Sequence, residues 1–213
     1  KGVLAFDVDG TLAERNKPLS EEMVCVLNNL SRHGIKLAII TGQPMSVHAD
    51  RLKPIFYPGM IIYANDSTQK YIVDKKCLPQ EVLSYRKGFK DDAEKSLVEI
   101  AIRQTIIYKR GSLNTPKGIK EVILIEPIVI EDRVTQVAFK FNLTLEQREY
   151  LAGHIKEKMQ ELGLSGLSVR ASGKTTIAVH RAGISKATAI NDLSESMGLF
   201  PEDIIYFGDE FFP

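Results

Sequence analysis

Two aspartates near the start of the chain, Asp7 and Asp9, are spaced so that they can do chemistry together. They follow the apolar residues 3–6, which leave no room for a preceding helix and therefore predict a buried strand. Gly10 and Thr11 come next and suit a tight loop. Ligands of open α/β sheets bind at the carboxyl ends of the strands. Two acids at such a position can share one Mg²⁺ ion or divide the roles of nucleophile and acid–base catalyst.

Three more polar positions follow predicted strands or begin a helix. Thr41-Gly42 follows an apolar strand, where a hydroxyl and free amides could bind a phosphate oxygen, although Thr-Gly also ends many strands without any ligand. Lys186 falls in the first turn of a predicted helix, where a cation is unfavourable unless an anion lies nearby; a solvated surface lysine is the alternative. Asp209 follows the last predicted strand and is expected to be either a metal ligand or a turn residue. Glu210 could be a second metal ligand, but an exposed residue beside the site is the favoured interpretation.

The elements that must position these groups alternate as βα units. Helices are predicted near residues 20–34, 48–55 and 184–197, with apolar strands at 35–40, 60–64 and 204–207. This order is typical of an α/β fold with a parallel sheet. Between about residues 78 and 171 the rhythm changes. Helices at 93–108 and 145–162 and strands at 121–125, 134–141 and 167–170 predict a separate α+β unit. The strand-like residues 175–179 are then expected to return the chain to the first domain.

Composition narrows the possible functions. The 213 residues carry a net charge of +1, which gives no sign of a nucleic-acid partner or of binding to an acidic membrane surface. No apolar stretch approaches the roughly 20 residues that span a bilayer. Two cysteines are too few for a disulfide framework, and Cys25 is expected to be a buried thiol. A cytoplasmic location is the default expectation. No signal peptide is visible, although a chain that opens on Lys1 is expected to have lost residues.

Two further patterns are set aside. Residues 172–175 read Ser-Gly-Lys-Thr, like the end of a phosphate-binding P-loop, but Ser168 stands where the first glycine is required and a strand, not a helix, follows. The histidines are scattered and show no metal-ligand spacing, so no role is assigned to them. They are His33, His48, His154 and His180.

The ordered set Asp7-Val8-Asp9-Gly10-Thr11, Thr41, Lys186 and Gly208-Asp209 resembles the motifs of the haloacid dehalogenase superfamily. The insertion lies between the second and third motifs, where that superfamily places a C2-type cap. Its α+β pattern resembles the C2B caps of Cof-like sugar phosphatases, sucrose-phosphate phosphatase and eukaryotic-type phosphomannomutase. The resemblance implies a Rossmann-like core domain over residues 1–80 and 172–213 and a cap over residues 81–171. It also implies a truncated C-terminus, because a further acid that usually contributes to the metal site would follow Pro213.

The same resemblance implies a set of roles. Asp7 would be the nucleophile that becomes an aspartyl phosphate, and Asp9 the acid and base. Mg²⁺ would be held by Asp7, the carbonyl of Asp9 and Asp209. Phosphate oxygens would be bound by Gly10, Thr11, Thr41, Gly42 and Lys186. Where the cap rejoins the core, Lys174, Thr175 and Thr176 are substrate candidates, with a plain structural junction as the alternative.

A Mg²⁺-dependent phosphatase acting on a small phosphorylated metabolite, expected to be a sugar phosphate, is the leading hypothesis. A phosphomannomutase-like phosphotransferase is the alternative, since its chemistry is identical up to the aspartyl phosphate. A non-catalytic binding protein on the same fold is the third hypothesis.

Overall fold

The computed structural model describes residues 2–108, 114–115, 118–119, 129–132, 135–172 and 175–209. The described residues of Lys1–Lys87 and Ile184–Pro213 form one compact unit, and those of Gly88–Gly183 form a second. No helix in these described ranges is long and apolar enough to cross a membrane.

Twelve strands and five α-helices are defined in the described residues. The strands are β1 (Val3–Phe6), β2 (Lys36–Ile40), β3 (Ile61–Ala64), β4 (Gln69–Val73), β5 (Pro79–Glu81), β6 (Asn114–Thr115), β7 (Gly118–Ile119), β8 (Val129–Asp132), β9 (Gln136–Lys140), β10 (Leu167–Ser172), β11 (Thr176–Arg181) and β12 (Ile204–Phe207). The helices are α1 (Glu21–Arg32), α2 (Met45–Leu52), α3 (Asp92–Tyr108), α4 (Leu145–Glu161) and α5 (Lys186–Met197).

The first unit is built on a six-stranded sheet with the order β12-β1-β2-β3-β4-β5. The first four strands in this order are parallel, and β4 and β5 extend the sheet in antiparallel fashion. The prediction of an α/β fold with a parallel sheet is therefore confirmed. The antiparallel extension was not predicted, because Gln69 and Lys70 begin β4 with polar side chains although both are buried.

The two faces of this sheet carry two hydrophobic cores, and side chains that alternate along each strand enter them in turn. Phe6, Leu37 and Ile39 belong to the core that also contains Leu27 of α1. Ala5 and the neighbouring small or branched residues belong to the core formed with α5. Helices on both faces leave only the strand ends free for a site.

Capping side chains fix where the helices of the first unit begin. Ser20 caps α1 by accepting from the amide of Met23, as its sequence predicts. Ser185 and Thr188 form a reciprocal capping box at the start of α5, so Lys186 is the first residue of that helix. Cys25 lies on α1 but is exposed, so the expectation of a buried thiol was wrong: the helix buries Leu27 and turns Cys25 to its outer face.

A partly buried ionic cluster ties α5 to the antiparallel extension of the sheet. The ammonium of Lys70 on β4 donates to Asp192 (2.6 Å) and Ser196 (2.7 Å) of α5. The hydroxyl of Tyr63 on β3 donates to the same Asp192 oxygen at 2.5 Å. The Lys70 side chain is 9% exposed, so water screens its ion pair poorly. This cluster fixes the position of the helix that carries Lys186.

The second unit contains a four-stranded antiparallel sheet with the order β10-β11-β9-β8. Apolar residues of β9, β11, α3 and α4 share one core, which includes Phe139, Leu151 and Ile177. An α+β unit in this part of the chain agrees with the sequence. The strand predicted at residues 121–125 lies outside the described residues.

The predicted boundary between the two units was also wrong. Residues 175–179 were expected to return to the first domain, but β11 pairs antiparallel with both β9 and β10 in the second unit. The second unit consequently runs to Gly183 and begins at Gly88, in place of the predicted residues 81–171. Strand pairing is non-local, and nothing in residues 175–179 themselves specifies which sheet they join. Whether this unit serves as a cap stays a prediction.

Candidate active site

The carboxyl ends of three parallel strands carry polar groups that the sequence singled out. Asp7 follows β1, Thr41 follows β2 and Asp209 follows β12, and these strands are neighbours in the sheet. Lys186 reaches the same edge from the start of α5, because its ammonium pairs with Asp7. The sheet therefore brings together residues separated by up to two hundred positions in the chain.

Asp7 occupies the centre of this edge and is 8% exposed. Its amide donates to the carbonyl of Phe207 at 2.8 Å, and its Oδ1 accepts from the amide of Val8 at 2.8 Å. Burial raises the pKa of Asp7, and Asp209 adds to this effect, while Lys186 and the Val8 amide oppose it. A buried carboxylate beside another carboxylate calls for more positive charge than Lys186 alone supplies.

Lys186 donates from Nζ to Oδ2 of Asp7. Its ammonium also lies 5.5 Å from the ring centroid of Tyr206. Burial by itself would lower the pKa of Lys186, but the charge and hydrogen bond of Asp7, together with Tyr206, act in the opposite direction and hold that pKa above its usual value. A charged lysine at the start of a helix is thus explained by its carboxylate partner, and it is placed to hold a phosphate oxygen as well.

Gly10 forms a close approach to Asp209. A Cβ atom on Gly10 would stand 2.7 Å from Cγ of Asp209 and closer still to Oδ2. Gly10 also has a φ of +86°, which an ordinary L-residue rarely adopts. Its amide donates to the carbonyl of Ala13 at 2.8 Å and closes the loop after Asp9. The missing side chain of Gly10 therefore leaves the space into which the Asp209 carboxylate fits.

The oxygen chemistry of this edge fits a magnesium ion. Among the described residues, no three His, Cys, Asp or Glu side chains form a metal-binding group. Two carboxylates, from Asp7 and Asp209, do converge, and Asp209 lies close enough to raise the pKa of Asp7. Mg²⁺ in enzymes is often bound by one or two carboxylates, with waters and substrate oxygens completing the shell. Asp7 and Asp209 are the residues that would hold it.

Asp9 forms an ion pair that the sequence reasoning did not foresee. Nη1 of Arg51 donates to Oδ1 of Asp9 at 2.8 Å, and the two side chains are 10% and 18% exposed. Arg51 also donates from Nε to the carbonyl of Lys17 (2.7 Å) and from Nη2 to that of Glu14 (3.2 Å). The guanidinium therefore ties the whole loop after β1 to α2.

Thr41 is 1% exposed and contacts a histidine that had been set aside. Its Oγ1 lies 3.1 Å from Nε2 of His48 on α2, and the amide of Gln43 donates to the same Oγ1 at 3.3 Å. Nδ1 of His48 lies 2.9 Å from Nη1 of Arg51. Burial lowers the pKa of His48 to about 4, so the ring is neutral at physiological pH. The sequence pattern, which assigned no role to His48, did not predict its contacts with Thr41 and Arg51.

The loop after β3 completes the edge. Asn65, Asp66 and Ser67 have φ values of 57°, 56° and 67°. A left-handed backbone costs a non-glycine residue about 1–2 kcal/mol, although less for Asn and Asp. The amide of Asn65 donates to the carbonyl of Gln43 at 2.8 Å, and Oδ1 of Asp66 lies against Gly42. Strained loops of this kind concentrate at functional sites.

The other predicted site residues are distributed unevenly. Thr11 lies in the loop after β1, and its Oγ1 is buried without a partner among the described residues. Thr175 and Thr176 lie in the second unit, where the carbonyl of Thr175 accepts from the amide of Phe141 at 2.7 Å. Their substrate role stays a prediction. Lys174 and Glu210 lie outside the described residues.

Arg51 and His48 are the residues at this edge that sequence reasoning missed. A signal was present, since they lie three positions apart on the helix that follows Thr41 and such residues share one helix face. Neither residue stands out by type, because an isolated arginine on a helix is usually a solvated surface residue. Asp9, the ion-pair partner of Arg51, is 42 positions away from it in the chain.

Comparisons with known proteins agree with this geometry. Residues 4–211 match the model of the haloacid dehalogenase-like hydrolases. The phosphoglycolate phosphatase of Methanospirillum hungatei is 23% identical over 210 residues, which cover 98% of this chain and 76% of that protein. The phosphoglycolate phosphatase of Methanoculleus marisnigri is 25% identical over 213 residues, covering 97% of this chain and 75% of that protein.

Among solved structures, a haloacid dehalogenase superfamily phosphatase from Bacteroides thetaiotaomicron superposes with a TM-score of 0.64 at 20% identity. The match covers 98% of this chain and 77% of the other. At that identity the likeness concerns the fold. The family model, in contrast, spans nearly the whole chain, from within β1 to beyond Asp209. The chain therefore belongs to the haloacid dehalogenase-like hydrolase family.

Proposed function

We propose that this protein is a Mg²⁺-dependent phosphatase that cleaves small phosphorylated metabolites through a phosphoenzyme formed on Asp7. The family placement makes it a hydrolase, and the named relatives are phosphatases, so phosphoric monoesters are the bonds it cleaves. The observation that carries the proposal is the buried Asp7 carboxylate, held between Lys186 and the acid Asp209 at the carboxyl end of β1.

The proposed reaction has two steps, and Asp7 acts first. One carboxylate oxygen of Asp7 bonds to phosphorus while the ester bond between phosphorus and the leaving oxygen breaks. Asp9 gives its proton to that leaving oxygen, and the alcohol departs. In the second step a water oxygen attacks the same phosphorus, Asp9 takes the proton of that water, and the bond to Asp7 breaks. Orthophosphate and free Asp7 result.

Charge makes this attack possible. A phosphate dianion repels a carboxylate, and Lys186 offers one positive charge at the point where they meet. A magnesium ion held by Asp7 and Asp209 supplies the remaining charge when it is bound. The hydroxyl of Thr41 and the amides near Gly42 would hold the other phosphoryl oxygens.

The relatives favour 2-phosphoglycolate as the first substrate to test, in place of the sugar phosphate that the insertion alone suggested. The experiment is release of orthophosphate from 2-phosphoglycolate, glucose 6-phosphate and mannose 1-phosphate, with and without Mg²⁺. Asp7→Asn is expected to remove release entirely, whereas Asp50→Asn, an exposed acid on α2, is expected to leave it intact. Isomerisation of mannose 1-phosphate without release of orthophosphate would show that the protein is a mutase and not a phosphatase. Absence of any Mg²⁺-dependent release would refute the proposal.

A further inference from the structure

Four side chains form one continuous hydrogen-bonded chain across the edge of the sheet. It runs from Oδ1 of Asp9 to Nη1 of Arg51 (2.8 Å), on to Nδ1 of His48 (2.9 Å), and from Nε2 of His48 to Oγ1 of Thr41 (3.1 Å). His48 is fully buried and Thr41 is 1% exposed. The chain thus links the two groups to which the proposed function gives proton transfer and phosphate binding, and the inference drawn from it rests on that function.

The chemistry of arginine determines which way the hydrogens point. A guanidinium has donors and no acceptor, so Nη1 of Arg51 uses its two hydrogens for Asp9 and for Nδ1 of His48. Nδ1 must then be unprotonated, and the hydrogen of the neutral ring must be on Nε2. His48 therefore donates to Thr41 and cannot accept from it.

This direction fixes the state of the Thr41 hydroxyl. A hydroxyl oxygen has two acceptor positions and one hydrogen. Nε2 of His48 takes one acceptor position, and the amide of Gln43 takes the other at 3.3 Å. Among the described residues, no acceptor lies within hydrogen-bond distance of the hydrogen of the Thr41 hydroxyl. The hydroxyl is left as a pure donor, which is what an oxygen of a transferring phosphoryl group requires.

The same chain divides the two oxygens of Asp9. Oδ1 is occupied by Arg51, whereas Oδ2 has no protein partner among the described residues. We infer that Arg51 and His48 are positioning residues that present Oδ2 of Asp9 for proton transfer and hold the Thr41 hydroxyl as a donor toward the phosphoryl group. Neither residue touches the reacting atoms; both act through their neighbours.

The tautomer of His48 gives the first test and needs no variant. Two-dimensional NMR that correlates ring nitrogens with ring carbon-bound protons in the ¹⁵N-labelled wild-type protein distinguishes the tautomers. A neutral ring with the hydrogen on Nε2 is expected. A hydrogen on Nδ1, or a ring protonated on both nitrogens at neutral pH, would overturn the inference.

Two substitutions at His48 separate its two contacts. The amide of Gln can reach the position of Nε2 and keep a donor toward Thr41, whereas the shorter Asn amide reaches only the position of Nδ1. His48→Asn is expected to weaken binding of inorganic phosphate in the presence of Mg²⁺ roughly tenfold, and His48→Gln less than about threefold. His33→Asn, at an exposed histidine, is the control and is expected to change nothing. Equal losses in the two His48 variants would overturn the inference.

A double-mutant cycle excludes a merely structural effect. If His48 acts through the Thr41 hydroxyl, then His48→Asn should add no further loss of phosphate binding in a Thr41→Val background. Additive losses would overturn the inference. Calorimetric phosphate binding is independent of turnover. A wild-type protein that binds phosphate through this coupling but hydrolyses no monoester would therefore refute the proposed function and leave the positioning role standing.

Discussion

Replacing Gly10 by alanine separates two properties that one glycine combines. The first is its φ of +86°, which in alanine costs about 1–2 kcal/mol of folding free energy. The second is the contact with Asp209, because the new Cβ would stand 2.7 Å from Cγ of Asp209. A short terminal carboxylate can rotate away at small cost in stability, but it then leaves the position that suits a metal ligand.

Gly59 provides a matched control for Gly10. It has the same φ of +86°, lies in the same unit, and a Cβ there would meet nothing within 4 Å. Both variants are expected to lose about 1–2 kcal/mol, which lowers the Tm of a chain of this size by roughly 2–8 °C. The two proteins should therefore be similar in stability without metal.

Magnesium should then separate the two variants. At a concentration of 100 times Kd, the ion stabilises wild type and Gly59→Ala by about 2.7 kcal/mol. A tenfold weaker site in Gly10→Ala would gain only about 1.4 kcal/mol at that same concentration. The assay is thermal unfolding over a titration of MgCl₂, followed by calorimetric measurement of Kd. Equal gains in Gly10→Ala and Gly59→Ala would refute the role given to the Gly10–Asp209 contact.

Three other outcomes are expected. Lys186→Met should lower kcat/KM roughly 10- to 100-fold, because the variant loses a hydrogen bond between charged groups. A steady-state assay that finds wild-type kcat/KM would contradict this expectation. Lys70→Met removes the ammonium partner of the half-buried Asp192 and should cost about 1–3 kcal/mol in urea unfolding. Lys75→Met, at an exposed site, should cost almost nothing. Glu94 is buried, and burial by itself would raise its pKa. Its ion-pair partner Arg181 lowers that pKa, so the pKa lies below the usual 4.5. The ionised carboxylate therefore stabilises the fold above pH 4.5, and this stability is lost as pH falls through the lower folded pKa. Glu94→Gln should be less stable than wild type at pH 7, and urea unfolding at falling pH should show the difference shrinking; a constant difference would argue against the ion pair.

The parallel sheet and the position of its candidate catalytic acids could be predicted because their signals are local. An all-apolar strand followed by Asp7-Val8-Asp9-Gly10-Thr11 leaves little choice about where the carboxylates lie. Lys186 was detectable for a physical reason, since a cation in the first turn of a helix needs an anion, and the structure supplies Asp7.

The remaining features depend on contacts between distant residues. The strand Thr176–Arg181 has the pattern of a strand in either sheet. Its pairing with residues 136–140 and 167–172 places it in the sheet of the second unit. Lys70 and Gln69 are polar residue types that are usually exposed. Lys70 can be buried because it has partners on α5, Asp192 and Ser196, which are more than a hundred positions away in the chain. The contact between Arg51 and Asp9 likewise could not be predicted. It joins α2 to the loop after β1, and the packing of the whole sheet brings these two elements together.

The pairing of β1 with β12 has a consequence for the order of folding. Val3 is in register with Ile204, so the first strand finds one of its two neighbours only near the far end of the chain. Closing so long a loop is slow, whereas the segment from Gly88 to Gly183 pairs mostly with itself. Pulse-labelled hydrogen exchange would register this as early protection of β10 and β11 and late protection of β1. Asp7 therefore reaches its final surroundings only after β12, which is synthesised much later than β1, has paired with that strand.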